Sequence, residues 1–287
     1  TLATLAMGDG GYPDGGSLGM SLRMAKHFER LGGVIKYNTL VKKVLVKEDK
    51  AIGVLVDGDE ILADAVVVTV DTLSAIDNLF DEPLHEKWMD MMRENAKPSM
   101  CSFIGLGIKA DLSDLPENMV MTFDQPFSYA GSEIYTIEIN NYSTFKGYAP
   151  EGCTSVTTTL IGDTYDYWKN AKEQGTYDDE KKRLAEAVID RLSTKLPQIK
   201  DKVEVWDVAT PLTYERYCGT YKGSWMTETG KGSKMITYPG ASEEIASLYF
   251  AGQRIQPPGG LPVAAVTGRT AIQYLCRDTD TVFQGKM

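Results

Sequence analysis

The stretch that most constrains this chain runs from Ser247 to Arg269. Leu248-Tyr249-Phe250-Ala251 is a short apolar run that stops at Gly252, the pattern of a buried strand. Gly259 and Gly260 can take backbone angles closed to other residues and let a ligand approach the main chain. Pro262 suits the first turn of a helix, where its missing N–H costs nothing. Val263, Val266, Thr270 and Tyr274 then recur at helical spacing. The order is strand, glycine-rich loop, helix start. Such a start presents unpaired N–H groups and the positive end of the helix dipole, which suits an anion or a polarised carbonyl oxygen. The same order also serves as a plain strand-to-helix turn with no ligand.

Composition narrows the chemistry. A chain of 287 residues can form one large domain or two modest ones. Apolar residues make up 43% and charged residues 24%, as in an ordinary globular protein. The net charge of −10 disfavours nucleic acid, whose phosphates want a basic face. It also disfavours general attraction to anionic membranes, while a small apolar patch for peripheral membrane contact stays open. No apolar run approaches the ~20 residues of a membrane span, and no signal peptide is visible. Cys101, Cys153, Cys218 and Cys276 are scattered without a CxxC pair. Free, mostly buried thiols in a reducing, cytoplasmic compartment are expected. His27 and His85 each sit among charged residues on helices and read as solvated. No cluster has zinc-like spacing, so no metal is expected. No GxSxG elbow and no His-containing dyad is present. The catalytic side chain is therefore unknown, and the pattern suits a protein whose cofactor carries the difficult chemistry.

In chain order, residues 1–16 form a glycine-rich approach with Gly8, Gly10, Gly11, Gly15 and Gly16. Ser17 is a candidate N-cap for an amphipathic helix carrying Leu18, Leu22, Ala25 and Phe28, ended by Gly32-Gly33. Val34–Tyr37, Leu40–Val46, Ile52–Val56 and Ala65–Val70 read as strands, the middle two as a hairpin. Asp71 or Thr72 can cap a short helix, and Leu84, Trp88, Met91 and Met92 mark another, with the methionines as core filler. From Ser99 the texture changes. Met100–Ile108, Met119–Phe123, Glu133–Asn141 and Thr154–Ile161 predict a mainly antiparallel sheet. Asp178–Leu196 is the clearest helix, and Val203–Val208 one further strand. Tyr217, Tyr221 and Trp225 lie in an aromatic and glycine-rich stretch that reads either as a packed loop or as the lining of a substrate cavity.

Two of these stretches also carry a resemblance. Ala251-Gly252, followed by Pro257-Pro258-Gly259-Gly260-Leu261-Pro262-Val263-Ala264-Ala265-Val266-Thr267-Gly268-Arg269, resembles the C-terminal flavin-contacting segment of the phytoene desaturase-related FAD oxidoreductases. That group holds carotenoid desaturases and isomerases and is more distantly related to the amine oxidases. Tyr12-Pro13-Asp14-Gly15-Gly16-Ser17, then Gly32-Gly33 and Asn38-Thr39-Leu40-Val41-Lys42-Lys43-Val44, resembles the family's opening Tyr-Pro-x-Gly-Gly and the strand that approaches the adenine of FAD. The match is strong over residues 11–70 and 247–275 and weak between them. The resemblance implies an α+β / α/β chain. A discontinuous partial FAD-binding domain of the glutathione-reductase-like kind would take residues 1–97 and 245–287, with a three-stranded meander inserted. Residues 98–244 would form a substrate-binding domain, an antiparallel sheet with covering helices.

The resemblance further implies that Val41, Gly252, Gly259, Gly260, Leu261, Pro262 and Val263 contact FAD, mainly through the backbone, and that Tyr217, Tyr221 and Trp225 face substrate. It implies transfer of a hydride from an apolar, polyene-like molecule to flavin, or alternatively a redox-neutral isomerisation or an amine oxidation. The family opens with a strand–GxGxxG–helix that holds the FAD pyrophosphate, and no such unit occurs here. A fragment is therefore expected, one that binds FAD weakly or not at all and is inactive alone. Its segments 11–97 and 245–287 should still pack together, and the face left by the missing unit should promote self-association.

Overall fold

A computed structural model describes residues 7, 11–228 and 236–285. Gly8 and Gly10 of the glycine-rich approach lie outside the described residues. The chain begins with helix α1 (Gly16–Arg30). A meander follows, β1 (Val41–Lys47), β2 (Lys50–Val56) and β3 (Asp59–Leu62), antiparallel in the order β1-β2-β3. β4 (Val66–Val68) then leads into α2 (Thr72–Asn78) and α3 (Lys87–Asn95).

The chain next builds a sheet. β5 (Lys97–Ser99) precedes β6 (Cys101–Ile108), β7 (Asn118–Tyr129), β8 (Ser132–Asn141) and β9 (Thr154–Ile161). Helices α4 (Tyr165–Glu173) and α5 (Tyr177–Lys195) come next, then β10 (Val203–Ala209) and α6 (Pro211–Cys218). Strand β11 (Met226–Glu228) pairs back onto β5. Last come β12 (Leu248–Phe250) and α7 (Leu261–Asp278).

The large sheet has the order β10-β6-β9-β8-β7 and is antiparallel throughout. Its two faces follow from alternation along the strands. Ile104, Leu106 and Ile108 of β6 point to one face and are buried against Leu184, Val188 and Leu192 of α5. Each such side chain removed from water is worth roughly 1.5–3 kcal/mol. Trp168 of α4 closes this core; its indole N–H donates to Ser102 Oγ at 3.1 Å and to the Tyr129 hydroxyl at 3.0 Å.

A second core unites distant parts of the chain. Val66 and Val68 of β4 pack with Ile76 of α2, with Trp88, Met89 and Met92 of α3, and with Tyr238, Leu248, Phe250 and Ile255. The link between the segments is a parallel pairing, Leu248 with Val66, Tyr249 with Val67 and Phe250 with Val68. All three residues of β12 are buried. The segments on either side of the large sheet therefore do pack together.

Several local expectations need correction. Ser17 does not cap α1. Gly15, with φ 72°, occupies that position, because the turn into the helix needs left-handed backbone. The apolar residues of α1 reach no core: none of its residues is buried, and Leu18, Leu22 and Phe28 are 68, 48 and 50% exposed. Val34–Tyr37 form no strand, since no strand among the described residues pairs with them. Cys218 is exposed rather than buried. Helices α4 and α6 were not expected. The signals for α6 were local: Thr210 and Thr213 form a capping box, Pro211 opens the helix, and Gly219 closes it at φ 62°.

Candidate cofactor and substrate site

The loop between β12 and α7 is held at four points. Gly252 adopts φ 130°, Gly259 φ 109° and Gly260 φ 99°, conformations that side chains resist. The Thr267 hydroxyl accepts from Gly252 N–H at 2.9 Å and donates to the Val263 carbonyl at 2.9 Å, so the first turns of α7 are tied to the end of β12. Tyr238 N–H donates to the Ile255 carbonyl at 2.8 Å, and Thr227 N–H to the Pro258 carbonyl at 3.1 Å. At the far end of α7, the Tyr249 hydroxyl donates to Asp278 Oδ2 at 2.9 Å. The start of α7 is thus fixed in place while Leu261 stays 69% exposed, and no side chain caps it. Its first N–H groups face outward as a positive helix end.

Beneath this loop lies a buried ion pair. Arg254 Nε donates to Asp71 Oδ2 at 2.8 Å, and the two side chains are 1 and 0% exposed. The guanidinium also donates to Thr227 Oγ1 at 2.7 Å, to the Met226 carbonyl at 3.3 Å and to Ser224 Oγ. Asp71 in turn accepts from Leu73 and Ser74 N–H and so caps α2. One planar cation therefore joins the end of β4, the 224–227 segment and the glycine loop. A buried carboxylate does similar work nearby. Glu86 accepts from the Trp88 indole at 2.7 Å, from Glu243 N–H at 2.9 Å and from the Ser242 hydroxyl.

The large sheet has a second, open face. Phe103, Gly105 and Gly107 of β6 stand opposite Thr159, Thr157 and Ser155 of β9 on that face. A trough of about 550 Å³ runs along its edge, between Gly105–Ile108, the 148–155 loop and Glu204–Asp207. An aromatic group closes one side. Tyr142 and Tyr148 stack at 5.2 Å, and Tyr12 meets Tyr142 edge-on at 5.1 Å. Tyr12, from the opening segment, is thereby fastened to the sheet.

The expected site residues fall in three places. Gly252, Gly259, Gly260, Leu261, Pro262 and Val263 are gathered on the loop and the start of α7. Trp225 is 38% exposed and lies two residues before Thr227, which bonds to that loop; its own N–H donates to the Ser99 carbonyl. Tyr221 packs against the second core, while Tyr217 is 72% exposed beneath the Arg216 guanidinium. Val41 begins β1 opposite Val56, and no hydrogen bond among the described residues joins it to the glycine loop. Arg254, Thr267, Ser224 and Thr227 were not singled out from sequence. The available signal for Arg254 was a charged residue only three positions after the buried-strand pattern Leu248–Ala251. No cluster of His, Cys, Asp and Glu suited to a metal occurs among the described residues.

A parallel strand pair thus feeds a glycine loop and helix start beside an antiparallel sheet. The chain belongs to the flavin containing amine oxidoreductase family, which it matches over residues 3–276. It is 29% identical over 279 residues to the chloroplastic prolycopene isomerase of Daucus carota, covering 90% of this chain and 42% of that protein. It is 21% identical over 271 residues to the 1-hydroxycarotenoid 3,4-desaturase of a Flavobacterium species, covering 90% of this chain and 53% of that protein. The chain thus spans about half the length of these relatives. Among solved structures, the cyclohexylamine oxidase of Brevibacterium oxydans superposes with a TM-score of 0.61 at 14% identity, covering 92% of this chain and 53% of that one.

Proposed function

We propose that this chain is part of an FAD-dependent oxidoreductase of the dehydrogenase or desaturase type, acting on an apolar, polyene-like substrate. The observation that carries the reading is the exposed, uncapped start of α7 behind three left-handed glycines. A Cβ on Gly260 would meet nothing nearer than Pro262 Cδ at 3.9 Å, so the backbone is open to a planar ligand. The residues present fit the pyrimidine end of a flavin. When bound, the flavin supplies the hydride acceptor. The N–H groups of Leu261 and Val263 would stabilise negative charge on that edge, with Pro262 offering only its ring and carbonyl. Thr267 holds the helix at the right height by its bonds to Gly252 and Val263. The adenine end would lie along Val41.

No second glycine-rich strand-to-helix turn occurs among the described residues, so nothing there cradles a pyrophosphate. This chain alone is expected to retain FAD weakly or not at all, and to be inactive alone. A redox-neutral isomerase is the second reading, supported by the isomerase relatives. We place the activity in the cytoplasm with peripheral membrane contact, because polyenes partition into lipid. The exposed face of α1 would drive self-association.

The test is the visible absorption of this chain, and of one extended to its relatives' length, after FAD is added and excess removed. Flavin bands in the longer chain only are expected. No flavin in either would sink the reading. With flavin bound, turnover of an electron acceptor on a polyene marks a dehydrogenase. Geometric conversion without acceptor turnover marks an isomerase.

A further inference from the structure

We propose that the trough on the open face of the large sheet seats the neutral hydrocarbon part of an elongated substrate, and that Gly105 and Val205 set what fits. The inference rests on the oxidoreductase reading, which does not say where along the sheet the substrate lies.

Glycine inside a strand weakens it, and often marks a close approach by a ligand or another backbone. β6 carries two, Gly105 and Gly107, and they differ. A Cβ on Gly107 would lie 2.4 Å from Val205 Cγ2, so Gly107 makes room for Val205, which overhangs it. Gly105 has no such neighbour: a Cβ there would meet nothing within 4 Å. Its backbone is not left-handed either. Neither packing nor conformation asks for glycine at 105. What the missing side chain leaves is space, on the floor of the trough.

The walls specify the occupant. The volume of about 550 Å³ falls within the ~300–1,000 Å³ usual for small-molecule sites. Tyr148 offers aromatic surface, and Ala149, Pro150 and Val205 aliphatic surface. Among the described residues the lining includes no Lys, Arg or His. Its two carboxylates already have cations, Glu204 with Lys109 at 3.2 Å and Asp207 with Lys181 at 3.7 Å. An anionic end group would find no free cation in this lining, whereas a conjugated hydrocarbon gains apolar and aromatic contact.

The test uses the 287-residue chain without flavin, with all-trans-retinol as a neutral polyene probe. Energy transfer from the chain's tryptophans to retinol reports binding. Saturable binding is expected. Gly105→Leu should weaken it by roughly tenfold or more by filling the floor, and Gly105→Ala by a smaller factor in the same direction. Val120→Leu, on β7 outside the trough, should leave it unchanged. Retinoate should bind more weakly than retinol. Circular dichroism and the unfolding midpoint check that each variant folds. If Gly105→Leu does not fold, Gly105→Ala decides. Absence of saturable binding, or equal affinity in wild type and the folded Gly105 variants, would overturn the proposal. Flavin takes no part in this assay, so its failure and the failure of flavin retention are separately visible.

Discussion

Arg254 is the residue on which the junction turns. It ties four partners in two segments to the glycine loop, with its side chain out of water. Truncating one member of a buried pair leaves the other charge uncompensated, at a cost of about 3–5 kcal/mol. Arg254→Met should therefore lower the urea midpoint strongly, and Arg254→Lys should not rescue it, because an ammonium cannot match the planar fork. A loss below ~1 kcal/mol would show that Asp71 finds water or another donor. Two tyrosines make an independent prediction about pH. Burial, then the bond to Asp278, pushes Tyr249 from 10.0 to about 12. Burial, then the bond to Glu215, does the same to Tyr165. Both raised values favour the neutral form in the folded state. Their contribution is fully present below pH about 10 and is lost as pH rises through about 12. Denaturation followed across that window should show a falling alkaline limb. Tyr249→Phe should flatten it, and an unchanged slope would remove Tyr249 from the account.

Among the elements, α1 and α7 make an instructive pair. Both follow glycines and both carry apolar residues at helical spacing, yet among the described residues only α7 buries any of its own. Thr267 and Ala271 of α7 are buried, and its two ends are tied to β12. α1 has no buried residue. A 15-residue helix without tertiary packing is marginal in water. Its amides should exchange with deuterium far faster than those of β6 and β9, as read by mass spectrometry. Protection in α1 equal to that of the sheet would mean that its face is covered in solution. Legibility from sequence followed the same division. α5 and β6 to β9 were readable within a residue or two at most boundaries, because alternation and helical spacing are imposed by the core they face. The aromatics and glycines around α6 read as a loop, although Thr210, Pro211 and Gly219 carry helix-capping signals. The strand expected at Val34–Tyr37 failed because β-branched composition forms a strand only when another strand is there to pair with it.

At the scale of the whole molecule there are two large cores, beside a small cluster of Tyr249, Ala251 and Ala271. One belongs to the large sheet and its helices; the other is assembled from residues 44–96 and 236–255. The exposed apolar residues of α1 should make the chain associate as concentration rises. Sedimentation should show this, and Leu18→Glu with Leu22→Glu should reduce it without shifting the unfolding midpoint by more than ~0.5 kcal/mol. A monomer at all concentrations would remove α1 as an association surface.

What the amino-acid order determined by itself was local and periodic: the strands, most helices, and the glycine loop before α7, together with the family that loop resembles. These follow from patterns a few residues long, which burial and backbone sterics dictate directly. Only the tertiary structure decided the rest. It chose Asp71 over Thr72 as the cap of α2 and paired it with Arg254, far along the chain. It fastened Tyr12 to the 142–148 turn and left Gly105 facing open space. It also left the apolar stripe of α1 in solvent. A stripe states only that a residue prefers to be covered, and whether anything covers it depends on which distant segments the fold brings alongside.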